Sequence, residues 1–139
     1  MNLDFSELRD DDYCRLADFR YALRCFLDFS EKAAANEGLS AQQHQAFLVI
    51  RACATGEATV GFLAQRLLIK HHTAVGLAQR LEANKLLSRR KNPADARSVL
   101  LSLTLDAEER LARLSAAHRA ELEQLGTELG PVFREFLRP

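Results

Sequence analysis

The sequence predicts a mostly α-helical protein with one small β-hairpin, and three stretches carry that expectation. From Thr59 to Leu81 the apolar residues recur twice at three- and four-residue steps, first Val60, Leu63, Ala64 and Leu67, then Ala74, Leu77, Ala78 and Leu81. This spacing gives each set one face of a helix. Two short helices separated only by the break at Leu68-Ile69 must pack across one another, as in a helix-turn-helix. Leu86 to Lys91 and Ser98 to Leu103 have the length of strands, with Val99, Leu101 and Leu103 alternating onto one face. Between them Asn92-Pro93-Ala94-Asp95-Ala96-Arg97 supplies turn formers and an exposed arginine. A helix pair followed by a basic hairpin is a winged helix-turn-helix, which ordinarily binds duplex DNA.

Length and composition agree with one domain. The chain has 139 residues, 47% of them hydrophobic and 27% charged, enough for a real core in an ordinary globular mixture. No apolar run approaches the ~20 residues of a membrane span. The acidic start, Met1-Asn2-Leu3-Asp4-Phe5-Ser6-Glu7, lacks the shape of a signal peptide, so a cytoplasmic protein without membrane contact is expected. The formal net charge is zero, but its distribution is uneven. Residues 65–97 hold eight basic side chains (Arg66, Lys70, Arg80, Lys85, Arg89, Arg90, Lys91, Arg97) against Glu82 and Asp95, a local +6 that leaves −6 for the remainder. Such segregation is the footprint of a local anionic partner.

The elements follow in order. Asp10 to about Ala35 has helical propensity, with Leu16, Phe19, Leu23, Phe26 and Ser30 on one stripe and Tyr21, Leu27 and Phe29 widening it. A helix apolar on more than one side is buried on more than one side, here by a second subunit as well as its own chain. Asn36-Glu37-Gly38 ends it, and Ser40-Ala41-Gln42-Gln43 opens a second helix through about Cys53 with a capping box. Thr55-Gly56-Glu57 separates this helix from the helix-turn-helix. After the hairpin, Thr104 is suited to N-cap a long helix whose first turn holds Asp106, Glu108 and Glu109. Its seam runs through Leu111, Leu114, His118, Leu122, Leu125 and Leu129. Pro131 is expected to break the helix before a short amphipathic tail with Phe133 and Phe136. The predicted organisation is a helical dimerisation region at 10–54 and 105–139 and a DNA-binding region at 55–104. Leu16, Phe19, Leu122, Leu125, Leu129, Phe133 and Phe136 are the candidate dimer contacts. A bundle closed within one chain is the alternative.

On a helical wheel the second helix of the pair turns His72, Val75, Gly76 and Gln79 away from its apolar face, with His71 and Arg80 on the flanks. Gln79 or a histidine has the groups to hydrogen-bond base edges in a major groove, and Val75 to meet a thymine methyl. Lys70 and Thr73, at the helix start, suit phosphate contacts, as does the basic Arg89. Gly76 costs roughly 1 kcal/mol relative to alanine in a helix interior. Close backbone approach to the groove and tolerated drift both account for it. Adjacent histidines point 100° apart, so His71 and His72 do not make a shared metal site. Cys14, Cys25 and Cys53 form no CxxC and match no zinc spacing; reduced thiols are expected, with Cys25 and Cys53 in core positions. No catalytic constellation, metal site or cofactor site is apparent.

These residues resemble the multiple-antibiotic-resistance-regulator (MarR) family. The resemblance is strongest over Thr59–Thr104. Its most specific part is Asp95-Ala96-Arg97-Ser98-Val99-Leu100-Leu101-Ser102-Leu103-Thr104, which is similar to the family's Asp-x-Arg wing and returning strand. Ala78-Gln79-Arg80-Leu81-Glu82 before Leu86-Leu87 is similar to the exit of its recognition helix. The sequence departs from the family where Leu68 and Lys70 replace a glycine and a serine of the turn, and where Gly76 replaces a basic or polar residue. The resemblance implies a homodimeric regulator, usually a repressor of a pseudo-palindromic operator, often released by a small aromatic molecule. It also implies Arg97 in the minor groove, with Asp95 steadying the hairpin. Cys14 lies near the reactive thiol of the family's peroxide-sensing branch, so a redox-sensing regulator is one alternative. A winged-helix protein-interaction module without operator binding is another.

Charge segregation makes the first testable prediction. If residues 65–97 meet phosphates, log affinity for duplex DNA falls steeply with log salt, by about 0.9 for each phosphate neutralised. A salt titration by fluorescence anisotropy checks it, and a flat response would make the basic segment incidental.

Overall fold

The computed structural model describes residues 4–136. Five helices and three strands follow in the order α1 (Asp10–Asn36), α2 (Ala41–Arg51), β1 (Ala58–Thr59), α3 (Val60–Leu67), α4 (His71–Ala83), β2 (Leu87–Asn92), β3 (Asp95–Leu103) and α5 (Leu105–Phe136). This is the expected winged helix-turn-helix flanked by long helices. Two compact units divide it, one of the residues up to Ser30 with those from Ala117 onward, the other Glu31–Ala116.

The second unit contains the helix-turn-helix. Its core is built from the inner faces the periodicity selected: Val60, Leu63 and Ala64 of α3, and Ala74, Leu77, Ala78 and Leu81 of α4, all buried. Phe47 of α2, Leu101 of β3 and Leu111 and Leu114 of α5 join the same cluster. The Ser40 capping box is present, with Gln43 N–H donating to Ser40 Oγ at 3.1 Å and Ser40 N–H donating to Gln43 Oε1 at 3.0 Å. Helix α2 ends at Arg51, two residues before the expected Cys53. Thr104 caps α5 weakly through Ala107 N–H at 3.4 Å, while its hydroxyl donates to the Lys85 carbonyl at 2.9 Å. Glu37, just past α1, receives both ends of the Arg113 guanidinium at 2.9 Å, and Arg110 donates to its carbonyl.

Three helices of this unit end alike. Beyond α1, α3 and α4, paired bonds run back to the last turn: Gly38 and Leu39 to Ala35 and Ala34, Leu68 and Ile69 to Gln65 and Ala64, Lys85 and Leu86 to Glu82 and Leu81. The pattern needs a left-handed residue at each end. Gly38 (φ 73°) supplies one without strain, whereas Leu68 (φ 55°) and Lys85 (φ 60°) do not. Leu68 is also 93% exposed.

Several expectations are corrected. A two-residue strand, β1, pairs with β3 (Ala58↔Leu101, Thr59↔Leu100), making the hairpin a three-stranded antiparallel sheet in the order β1-β3-β2. The turn is shorter than expected. β3 begins at Asp95, so Asp95, Ala96 and Arg97 are strand residues and only Pro93-Ala94 cross over. Leu100 and Leu101 are both buried, with Val99 and Leu103 half-buried, because β3 is the central strand and is covered on both faces. Pro131 does not break α5, which continues through it to Phe136. Its fixed φ is helical, and Gly130 before it carries no Cβ to clash with the ring, so only one backbone hydrogen bond is forgone.

In the first unit, His118 is buried between the ring edges of Phe26 and Phe29, with its Nε2 2.8 Å from Ser30 Oγ. Leu16 and Leu122 are about half exposed, at 49% and 50%, while Phe19 and Leu125 are half-buried. Leu129 is buried within the chain. The side chains of Phe133 and Phe136 lie outside the described residues. Tyr13, Tyr21 and Leu27 leave further apolar surface on α1. Cys25 is exposed rather than in the core, because it shares the outer side of α1 with Tyr21.

A left-handed leucine costs roughly 1–2 kcal/mol and here recovers nothing by packing. Leu68→Gly is expected to stabilise the protein by about 0.5–1 kcal/mol after glycine's extra unfolded-state entropy is counted. The urea midpoint measures it; an unchanged or lower midpoint would mean that the turn is not strained at Leu68.

Candidate nucleic-acid interface

Burial of the inner face of α4 decides what the helix exposes. His71, His72, Gln79 and Arg80 are exposed, and Thr73 and Gly76 are half-exposed. Lys70 is the N-cap residue and forms no side-chain cap, as expected from a side chain without an acceptor oxygen, which leaves its charge free to point outward. Val75 has the same intermediate burial as Thr73 and Gly76, and its side chain packs partly against the core. With Thr59, Gly61, His71, Arg89, Arg97 and Val99 it lines a cavity of about 170 Å³ between α3, α4 and the sheet.

The wing is attached to α4 by one ion pair. Arg89 of β2 donates through Nε (3.1 Å) and Nη2 (3.0 Å) to Glu82 Oε1, and its backbone N–H donates to Oε2 at 3.2 Å. The hydrogen bonds from Arg89 hold the Glu82 carboxyl below its ordinary value of 4.5, against a smaller opposing effect of desolvation. Arg89 is therefore committed to protein as well as available to phosphate. Of the eight basic residues in 65–97 it alone forms an ion pair among the described residues.

At the far end of the wing, Asn92 makes the turn. Its Oδ1 accepts the Ala94 N–H at 3.0 Å and its Nδ2 donates to Ser98 Oγ at 2.8 Å, across a register shift at Lys91/Asn92. Asp95 Oδ1 accepts the Arg97 backbone N–H at 3.0 Å, rather than its guanidinium. Arg97 is exposed two residues into β3. The sequence placed Asn92 among the turn formers but did not give its side chain this role, nor Glu82 any. Asn-Pro is the turn signal that marks Asn92, but nothing local marks Glu82 as the partner of a residue seven positions on.

The cysteines stand apart from this interface. Cys14 and Cys25 are exposed; Cys53 is half-buried, and a hydrogen bond with Thr55 at 3.4 Å pulls its thiol below the usual range. Among the described residues no group of three or more His, Cys, Asp or Glu side chains is arranged to hold a metal ion.

The Glu82–Arg89 contact has a pH signature. A carboxyl whose folded value is depressed adds stability that is fully present above its unfolded value, near 4.5, and is lost as pH falls through the folded value. Glu82→Gln should therefore be less stable than wild type at pH 7, with the difference shrinking as pH drops below about 4.5. Urea denaturation at a series of pH values measures this, and a constant difference would mean that the pair does not act through charge.

Comparison with known proteins follows the same outline. A MarR-family model matches residues 37–98. No curated protein matches the chain. Among solved structures, a MarR-family transcription regulator superposes with a TM-score of 0.77 at 24% identity, covering 92% of this chain and 87% of its own. NadR, solved with 4-hydroxyphenylacetate, gives 0.71 at 19% identity over 99% and 92%. A variant of MepR from Staphylococcus aureus, solved with an oligodeoxyribonucleotide, gives 0.67 at 18% identity over 89% and 97%. Residues 37–98 thus match the MarR family in sequence, and along nearly its whole length the chain shares the winged helix-turn-helix fold of the regulator above.

Proposed function

We propose that the chain is a DNA-binding transcriptional regulator that works in the cytoplasm as a homodimer and represses a pseudo-palindromic operator. The observation that carries this reading is the joint exposure of one face of α4 and of the wing, in a segment where seven of the eight cations of residues 65–97 are paired with no carboxylate among the described residues. Exposed cations on a groove-sized element favour duplex DNA over a protein partner, whose interface would be depleted of charge at its centre. Gln79, His72 and Arg80 are the groups for base edges. Lys70 and Thr73 suit phosphates at the helix start, and Arg97 the minor groove. The oligonucleotide in the MepR structure supports the same partner here. Relief by a small aromatic ligand is supported by 4-hydroxyphenylacetate in NadR.

Dimerisation is assigned to the first unit. Tyr13, Leu16, Tyr21, Leu27 and Leu122 leave large apolar side chains half or more exposed, more than a monomeric helical surface usually tolerates in one region. Two recognition helices related by a two-fold axis then read half-sites about one helical turn, ~10 bp, apart.

Binding-site selection from random duplexes tests the reading, with sedimentation to establish the dimer. A symmetric motif is the expected result; failure to enrich any motif would sink it. Arg97→Ala is expected to weaken binding by about 1–3 kcal/mol, with the loss tied to A/T-rich flanks and the central bases of each half-site unchanged. Equal affinity for the selected site would reduce the wing to a surface hairpin.

A further inference from the structure

We infer that Gly76 and Arg80 act as one base-reading unit: the missing side chain at 76 lets the Arg80 guanidinium lie across the groove-facing centre of α4, where it selects guanine. The inference rests on the DNA-binding reading above and specifies which residue makes the choice.

Gly76 lies near the middle of the face opposite Ala74, Leu77, Ala78 and Leu81, whereas Arg80 is attached on its flank. A helical side chain leans back over the preceding turn, toward the residue four positions earlier. Arg80 does so here: a Cβ added at Gly76 would sit 3.5 Å from Arg80 Nη1. The guanidinium therefore fills the space that a longer side chain at 76 would occupy. It thereby reaches from the flank toward the centre of the exposed face. A β-carbon alone would be in ordinary contact with the guanidinium, whereas a longer side chain at 76 would compete with it for this space.

The charge on Arg80 is also left for a ligand. Glu82 is the only acid in α4, and its carboxylate is held by Arg89 at the base of the wing. No ion pair involves Arg80 among the described residues. A planar fork of donors at the centre of a major-groove helix matches the O6 and N7 acceptors of guanine, which a lysine's point charge cannot engage in the same bidentate way. Bases presenting a donor beside N7, as adenine does, are disfavoured by the same geometry.

Binding-site selection on wild type, Arg80→Lys and Gly76→Met tests the inference, with circular dichroism as the folding control. Wild type is expected to select one guanine in each half-site. In Arg80→Lys, which keeps the charge on an exposed position, preference for that guanine should fall by roughly tenfold or more. Gly76→Met, whose unbranched side chain takes the space beneath the guanidinium, should lose preference at the same base pair. If Arg80→Lys weakens binding to every sequence alike and keeps the same preferred bases, Arg80 is a phosphate contact and the inference is overturned. Retention of the guanine by Gly76→Met overturns the coupling of the two positions. A wild type that selects a motif without guanine overturns this inference alone; a wild type that selects no motif overturns the DNA-binding reading beneath it.

Discussion

The burial of four residues on one side of α4 is the constraint on which the proposed interface depends. Ala74, Leu77, Ala78 and Leu81 are each no more than 2% exposed. The two alanines bring α4 close to its neighbours and the two leucines fill the remaining space, so rotation of the helix about its axis would open cavities or drive polar groups inward. With that face fixed, the outward positions of His72, Gly76, Gln79 and Arg80 are fixed too. The same constraint reaches the wing. Leu86 N–H bonds back to the Leu81 carbonyl, and Glu82 holds Arg89, so β2 leaves α4 in one direction. The interface is specified from behind, by apolar packing, rather than by contacts among its own polar residues.

Electrostatics then acts on surfaces that packing has already placed. Acids stand where helix dipoles favour them, Asp10, Asp11 and Asp12 in the first turn of α1, Asp106 and Glu108 in that of α5. The first turns of α2, α3 and α4 have none. A helix start without acids is unsatisfied in isolation and favourable beside a phosphate. Glu82 and Asp95, the two acids of the basic segment, are both engaged in holding the wing, through Arg89 and through the Arg97 N–H. A chain with no net charge thus presents a local cationic surface.

Much of this was legible in the sequence, and what was not has physical reasons. The periodicity of α3 and α4 identified their buried faces almost residue by residue, since helical repeats of three and four report one interior directly. Ser40 and Gln43 announced their capping box because that motif is local. The pairing of Ala58-Thr59 with Leu100-Leu101 was invisible, since two residues carry no alternation and their partners lie more than forty positions away. Asp95 and Arg97 looked like loop residues because composition cannot reveal that Asn92 closes the turn with its own side chain. Val75 is only partly exposed because its side chain packs against the core, which the wheel alone does not reveal. On α1, apolar residues on several sides gave no single inward direction, and Cys25 fell outward with Tyr21. The crossing of Arg80 over Gly76 depends on a rotamer that spacing alone cannot predict.

On the proposed reading, α4 enters the major groove while the wing enters the minor groove of the same half-site. Methylation interference on the selected operator tests it most directly, since methylation at guanine N7 blocks the major groove and at adenine N3 the minor groove. N7 interference is expected near the centre of each half-site and N3 interference in the flanking A/T steps. N3 interference at the centre, or none at the flanks, would contradict it.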